Sequence, residues 1–237
     1  MEIFLDSGDP EEIAFWLDQG VIDGVTTNPT ILRSGGQHDL QAAAVAMASL
    51  LVDKPMSLEV VTDEPMEMLA QARELASWAP NVVVKIPIET TTGRPCMDVM
   101  HRLSAEGIKV NATAILSFGQ AMLAAKAGAT YVSLFGGRMS DEGNDPSRVV
   151  DMTARWLAHW DMPAKIIVGS VREAINVQDA ANAGAHVVTV PPKFLRQLAD
   201  HHYSRATVAQ FLADGQASLK ASPRGESAKQ PLPVLNG

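Results

Sequence analysis

Asn81-Val-Val-Val-Lys85-Ile-Pro-Ile88 reads as a short strand buried on both faces, since Val82, Val83, Val84 and Ile86 are β-branched and show no polar alternation. A lysine inside such a run is costly. An ammonium buried without a partner loses its hydration, and its pKa falls. An amine that is neutral at neutral pH is what attack on a carbonyl, to form a Schiff base, requires. The other reading of Lys85 is a lysine that snorkels from the strand end with its head in solvent. The stretch by itself leaves both open.

Outward from it, the chain alternates. Short apolar strands are expected at Ile3 to Asp6, Gly24 to Thr27, Met56 to Val60, Val82 to Ile86, Lys109 to Ala112, Tyr131 to Leu134, Lys165 to Val168 and Val187 to Val190. Helices fall between them. Asp9-Pro10-Glu11-Glu12 opens the first, with Asp at the N-cap, Pro at the first position and acids in the first turn, and Gly20 stops it. Others are expected from about Asp39 to Val52, from Pro65 to Trp78, Pro95 to Glu106, Gly119 to Ala127, Pro146 to Trp160 and Val171 to Ala183. Two more follow the last strand, Pro192 to Asp200 and Ser204 to Ala213.

Strict β-α alternation implies parallel strands with right-handed crossovers, and eight such units close into a single (β/α)8 TIM barrel, an α/β fold. An open doubly wound sheet is the structural alternative, but it would carry a glycine-rich phosphate turn after the first strand. Ser7-Gly8-Asp9 stands there instead. The barrel with its extra C-terminal helices is assigned to residues 1–215, and 216–237 to a flexible tail or an arm on a neighbour. From Ala221 the composition turns to Ser-Pro-Arg-Gly-Glu-Ser and Gln-Pro-Leu-Pro.

The 237 residues are 46% hydrophobic and only 5% aromatic, so the core is large and mainly aliphatic. A net charge of −8 argues against nucleic acid or an anionic membrane as partner. It leaves room for anionic metabolites, because a local arginine pair can hold a phosphate whatever the global balance. The single cysteine, Cys96, permits no intrachain disulfide and fits a reducing compartment. No basic leader and no membrane-length apolar run is visible, so a soluble cytoplasmic protein is expected. The acidic stretch Ser140-Asp-Glu-Gly-Asn-Asp145 lacks the spacing of a calcium loop, and the six histidines lack metal-ligand spacing.

In a barrel of this kind the active site lies at the carboxyl ends of the strands. Taken in order, those ends offer Asp6; Thr26-Thr27-Asn28; Glu59; Lys85; Asn111 and Thr113; Ser133, leading to Arg138; and Ser170 with Arg172. The eighth, Thr189-Val-Pro-Pro, offers little chemistry. A lysine can form an imine with a ketone, carboxylates can move protons, Asn, Thr and Ser can hold hydroxyls, and two arginines can grip a phosphate. That inventory suits cleavage of a carbon–carbon bond beside a carbonyl in a sugar phosphate. Singly, each group also has a structural reading: Asp6 and Glu59 as strand-end caps, Asn28 before Pro29 as a turn former, the arginines as surface charges. Their coincidence at matching strand ends carries the argument.

Thr26-Thr27-Asn28-Pro29-Thr30 and Val84-Lys85-Ile86-Pro87 resemble the transaldolase family, in particular its short-chain members near fructose-6-phosphate aldolase. The resemblance runs on through Asn111-Ala-Thr113, Ala124-Ala-Lys-Ala-Gly128, Ser133-Leu-Phe-Gly-Gly-Arg138 and Gly169-Ser-Val-Arg172, over roughly residues 1–215. It implies a class I aldolase-like barrel with Lys85 as the Schiff-base nucleophile holding a dihydroxyacetone unit. It implies Asp6 as the acid–base for the C4 hydroxyl, and Glu59 with Thr113 and a water as the proton shuttle of imine formation. Thr27, Asn28, Asn111, Ser133 and Phe135 would lie on the substrate, and Arg138, Ser170 and Arg172 on its phosphate. No metal or organic cofactor is implied, and a homo-oligomer, pentamer or decamer, is. Fructose-6-phosphate aldolases typically carry Gln at the position of Glu59 and Tyr at that of Phe135, so both positions follow the transferase pattern. Leu134 and Gly136 stand where the family usually has Pro and Val.

The expectation is therefore a transaldolase moving a three-carbon unit from a ketose phosphate (fructose 6-phosphate or sedoheptulose 7-phosphate) to an aldose phosphate. An aldolase that releases free dihydroxyacetone is the first alternative. A non-catalytic sugar-phosphate binder on the same scaffold is the second.

Overall fold

The computed structural model describes residues 1–34 and 39–221. The elements run β1 (Glu2–Asp6), α1 (Pro10–Asp18), β2 (Gly24–Thr26), α2 (Pro29–Ser34), α3 (Leu40–Leu51), β3 (Met56–Glu59), α4 (Pro65–Trp78) and β4 (Val82–Pro87). Then come α5 (Met97–Ala105), β5 (Val110–Ile115), α6 (Phe118–Lys126), β6 (Tyr131–Phe135), α7 (Gly136–Asp141), α8 (Pro146–His159) and β7 (Lys165–Gly169). The series ends with α9 (Ile175–Asn182), β8 (Val187–Val190), α10 (Pro192–Ala199) and α11 (His202–Ala221). The eight strands pair in sequence order, and β8 pairs with β1, so the all-parallel sheet closes into the expected (β/α)8 barrel.

Helix starts follow their caps. The Asp9 carboxylate accepts the Glu11 N–H ahead of α1, Asp39 accepts Ala42 N–H ahead of α3, and Asp145 accepts Ser147 N–H ahead of α8. Two short helices were not expected. In α2, Asn28 caps the first turn through Oδ1 to the Ile31 N–H at 2.9 Å, so the turn-forming Asn28-Pro29 pair starts a helix. In α7 the chain leaves β6 directly into one helical turn and a half. The last helix, read as ending at Ala213, continues to Ala221; the tail beyond it lies outside the described residues. The described residues divide into two compact units, one from Met1 to Arg196 that holds the barrel and one that begins at Gln197.

Along each strand, side chains alternate between the helical layer and the barrel interior. On β4, Val82, Val84 and Ile86 join the large aliphatic core under the helices, while Val83 joins Phe4, Tyr131, Ile167 and Val187 in a separate cluster inside the barrel. Gly24 makes room for that cluster: a Cβ there would sit 2.8 Å from the Phe4 ring and from the Pro55 carbonyl. Counting two residues onward from each of the five cluster members gives Asp6, Lys85, Ser133, Gly169 and Thr189, which line a cavity at the carboxyl end.

Candidate active site

The cavity, of about 160 Å3, is lined by the five positions just counted and by Thr26, Asn28, Asn111, Thr113, Phe135, Arg138 and Ser170. Lys85 is one of these lining residues, with 6% of its surface exposed. Parallel pairing sets Glu59 on β3 and Asn111 on β5 beside it. Lys85 Nζ lies 2.9 Å from Glu59 Oε2 and donates to the Thr27 carbonyl at 3.0 Å. The lysine therefore does not snorkel to solvent; its head is inside, held by a carboxylate and a backbone oxygen.

Asn111 is fully buried and fixed from both sides. Its Nδ2 donates to Ser57 Oγ at 3.1 Å, and its Oδ1 accepts from Ser133 Oγ at 2.7 Å. Beyond it β5 carries an extra residue: the register steps from Ala112 opposite Val132 to Ile115 opposite Leu134, and Ala114 adopts φ +59°. A left-handed alanine costs on the order of 1–2 kcal/mol. This bulge lies next to Thr113, whose buried Oγ1 has no hydrogen-bond partner among the described residues.

Asp6 sits across the cavity. Its Oδ1 accepts from Thr26 Oγ1 at 2.8 Å, and Thr26 Oγ1 in turn lies 2.5 Å from Thr189 Oγ1. Burial pushes the Asp6 carboxyl above the ordinary carboxylate range. The Thr26 hydrogen bond and the Lys85 charge act against that rise, and the Glu59 charge adds to it.

The cationic end is built by α7 and the turn after β7. A Cβ on Gly137 would come within 2.0 Å of the Ser170 carbonyl oxygen, so only glycine lets the α7 backbone lie on that turn. Ser170 itself has φ +58°. Arg138 projects from this platform, with its guanidinium carbon 5.8 Å from the centre of the Phe135 ring. Arg172 lies farther out. It lines an adjoining basin with Asp6, Ser170 and Lys193, and its Nη2 donates to Asp141 at 2.9 Å.

Of the residues singled out from sequence, Asp6, Asn28, Lys85, Asn111, Thr113, Ser133, Phe135, Arg138 and Ser170 thus share one cavity wall. Glu59 joins through its ion pair. The Thr27 hydroxyl turns away to the Ser57 carbonyl at 2.9 Å, leaving its own carbonyl to Lys85. The eighth strand, read as chemically poor, brings Thr189 inward. Ser57 was passed over, and Thr26, offered at its strand end, was given no role; counting by two from Gly24 on β2 and back from Glu59 on β3 places both inside.

Fold and cavity together define the class: a (β/α)8 barrel with a lysine-centred polar cavity where barrels carry their catalytic sites. The family model for Transaldolase/Fructose-6-phosphate aldolase matches residues 3–229, and the chain belongs to this family and is an enzyme of it. A protein of Dehalococcoides mccartyi described as "Probable transaldolase" is 39% identical over 220 residues, covering 93% of this chain and all of the relative. One from Maridesulfovibrio salexigens with the same description is 42% identical over 221 residues, with 93% and 100% covered. "Probable transaldolase 2" of Listeria monocytogenes is 41% identical over 217 residues, covering 92% of this chain and 97% of its own. Among solved structures, a mandelate oxidase mutant superposes with a TM-score of 0.56 at 12% identity, covering 81% of this chain and 64% of that one, a likeness of fold alone. No helix among the described residues is long and apolar enough to cross a membrane.

Proposed function

We propose that the protein is a transaldolase working through a Schiff base on Lys85, and that it moves a dihydroxyacetone unit from a ketose phosphate such as fructose 6-phosphate or sedoheptulose 7-phosphate to an aldose phosphate. The observation that carries the reading is the Lys85 amine, nearly buried yet open to the cavity and 2.9 Å from Glu59. Glu59 takes a proton from the ammonium, and the neutral amine attacks the ketose C2 carbonyl. Loss of water from the carbinolamine gives the iminium. Glu59 and the unpaired Thr113 hydroxyl are suited to hold and protonate that leaving water.

Asp6 then takes the C4 hydroxyl proton. The C3–C4 bond breaks, the aldose phosphate leaves as an aldehyde, and the bonding electrons pass into the enamine on Lys85. A second aldose phosphate enters. The enamine carbon attacks its aldehyde, Asp6 returns the proton, and hydrolysis of the new iminium frees the product. Asn111, locked by Ser57 and Ser133, presents a fixed amide edge to the donor hydroxyls. Arg138 with Ser170 holds the phosphate, and Arg172 adds positive charge at the rim.

The test is borohydride reduction in the presence of fructose 6-phosphate, followed by intact mass and peptide mapping. A dihydroxyacetone-sized adduct on Lys85 is expected, and its absence across a panel of ketose phosphates would refute the Schiff-base reading. Adding acceptor aldose phosphates then separates transfer from release. Turnover that depends on acceptor is expected; free dihydroxyacetone formed at the same rate without acceptor would make the protein an aldolase.

A further inference from the structure

We propose that Thr189 is a positioning residue for Asp6, acting through Thr26 across the seam where the barrel closes. The three side chains stand on neighbouring strands, β8, β1 and β2. Thr26 Oγ1 donates to Asp6 Oδ1 at 2.8 Å and lies 2.5 Å from Thr189 Oγ1. A threonine hydroxyl has one proton. Thr26 uses its proton on Asp6, so Thr189 donates to Thr26, and counting hydrogens fixes the order Thr189 to Thr26 to Asp6. A hydroxyl that accepts a hydrogen bond donates a stronger one. Thr189 therefore holds the Thr26 rotor toward Asp6, keeps one carboxylate oxygen occupied, and leaves the other for the cavity.

Both threonines are buried, Thr26 with 3% and Thr189 with 6% of its surface exposed, which leaves little room for solvent to replace a lost hydroxyl. Glycine 169 on β7 lies against the Thr189 methyl: a Cβ there would be 3.5 Å from Thr189 Cγ2. The charged groups around Asp6 are Lys85 from β4, Glu59 from β3, Arg138 from α7, and Arg172 and Lys193 at the rim. None belongs to the threonine chain, so removing the Thr189 hydroxyl leaves each in place.

The inference rests on Asp6 as the acid–base of the proposed reaction. Thr189→Val keeps size and branching and removes the hydroxyl. The Asp6 titration is read by NMR of 13C-labelled carboxyl groups, assigned with Asp6→Asn. In Thr189→Val the Asp6 titration moves to higher pH, and the acid limb of the kcat profile moves the same way. At neutral pH kcat falls about 3- to 10-fold with KM nearly unchanged, the signature of a lost transition-state effect. Thr189→Ser restores both. Thr26→Val produces a shift at least as large, and adding Thr189→Val to it produces none, because the two act in series.

An unchanged Asp6 titration in Thr189→Val overturns the proposal. So does a fall in kcat that Thr189→Ser fails to restore, or full additivity of the two valine substitutions. The NMR titration needs no turnover. A wild-type protein that forms no imine would refute the transaldolase reading while the titration still decides the relay.

Discussion

The two layers inside the barrel are built on the same strands and serve opposite ends. The lower layer, Phe4, Val83, Tyr131, Ile167 and Val187, is apolar and filled, with the Phe4 and Tyr131 rings edge to face at 6.0 Å. The upper layer, two residues onward, is Asp6, Lys85, Ser133, Gly169 and Thr189, and it is open. Sheet pleat and register are shared, so the difference is chemical: one step of the strand period exchanges packing for polar groups around a cavity. A filled floor gives the barrel its shape and keeps the charges above it in place. The polar ceiling then holds the Asp6 carboxylate and the Lys85 amine, with Glu59 paired to the lysine from β3, at a cost in desolvation that the floor offsets.

The sharpest way to break this division is Lys85→Met. It removes the amine and keeps length and apolar bulk. Turnover is expected to fall below a few per cent of wild type and borohydride trapping to vanish, while the circular dichroism spectrum stays that of the wild type. Substantial residual turnover would move the chemistry to another residue. Its counterpart in the floor is Phe4→Ala. Phe4 is fully buried, and deleting its ring should cost about 3–5 kcal/mol of stability. Chemical denaturation measures this. At a temperature where the variant is folded, imine trapping should persist. If trapping is lost in a folded Phe4→Ala protein, the two layers are not separable.

How far the sequence showed these layers follows from what kind of information each needs. Strand order and closure were legible because strand and helix signals alternate eight times, and eight parallel units have one natural closure. Lys85 stood out because a charge in a valine run breaks a local pattern. Thr189 did not stand out, since threonine is ordinary in a strand. Its partner Thr26 is 163 residues away, joined to it only by the β8–β1 closure. Thr27 was chosen over Thr26 for a related reason: on β2, facing depends on register against Phe4, and Gly24, which sets that register, carries no side chain to reveal it. The helix α7 was missed because Gly136-Gly137 reads as a loop. Gly137 is there for the close approach to Ser170.

A smaller effect tests the rim of the upper layer. Arg138 reaches the cavity from an exposed position over Phe135, whereas Arg172 is tied to Asp141. Arg138→Ala should raise KM about tenfold or more for phosphorylated acceptors and hardly at all for unphosphorylated aldehydes, as expected on losing a charge-assisted contact. Steady-state kinetics on the two acceptor types checks it. An equal rise for both would remove Arg138 from phosphate binding and pass that role to Arg172.

The smallest expected effect is on stability, and it concerns Asp6. Burial holds its carboxyl above the ordinary value in the folded barrel, against the pull of Thr26 and Lys85. In the unfolded chain it titrates at the ordinary value. Between those two values the folded state keeps a proton that the unfolded state has lost, so the contribution of Asp6 to stability falls as pH rises through that window. It is fully present below the ordinary carboxylate value and lost above the raised one. Asp6→Asn has no such titration, and its amide oxygen can still accept from Thr26. The variant should therefore melt higher than wild type at neutral pH, with the advantage shrinking as pH falls through the carboxylate range, while catalysis of cleavage is lost. Melting temperatures of both proteins across that range decide the matter. If Asp6→Asn is instead less stable at neutral pH, attraction between Asp6 and Lys85 outweighs desolvation, and the upper layer stabilises the barrel rather than drawing on the floor beneath it.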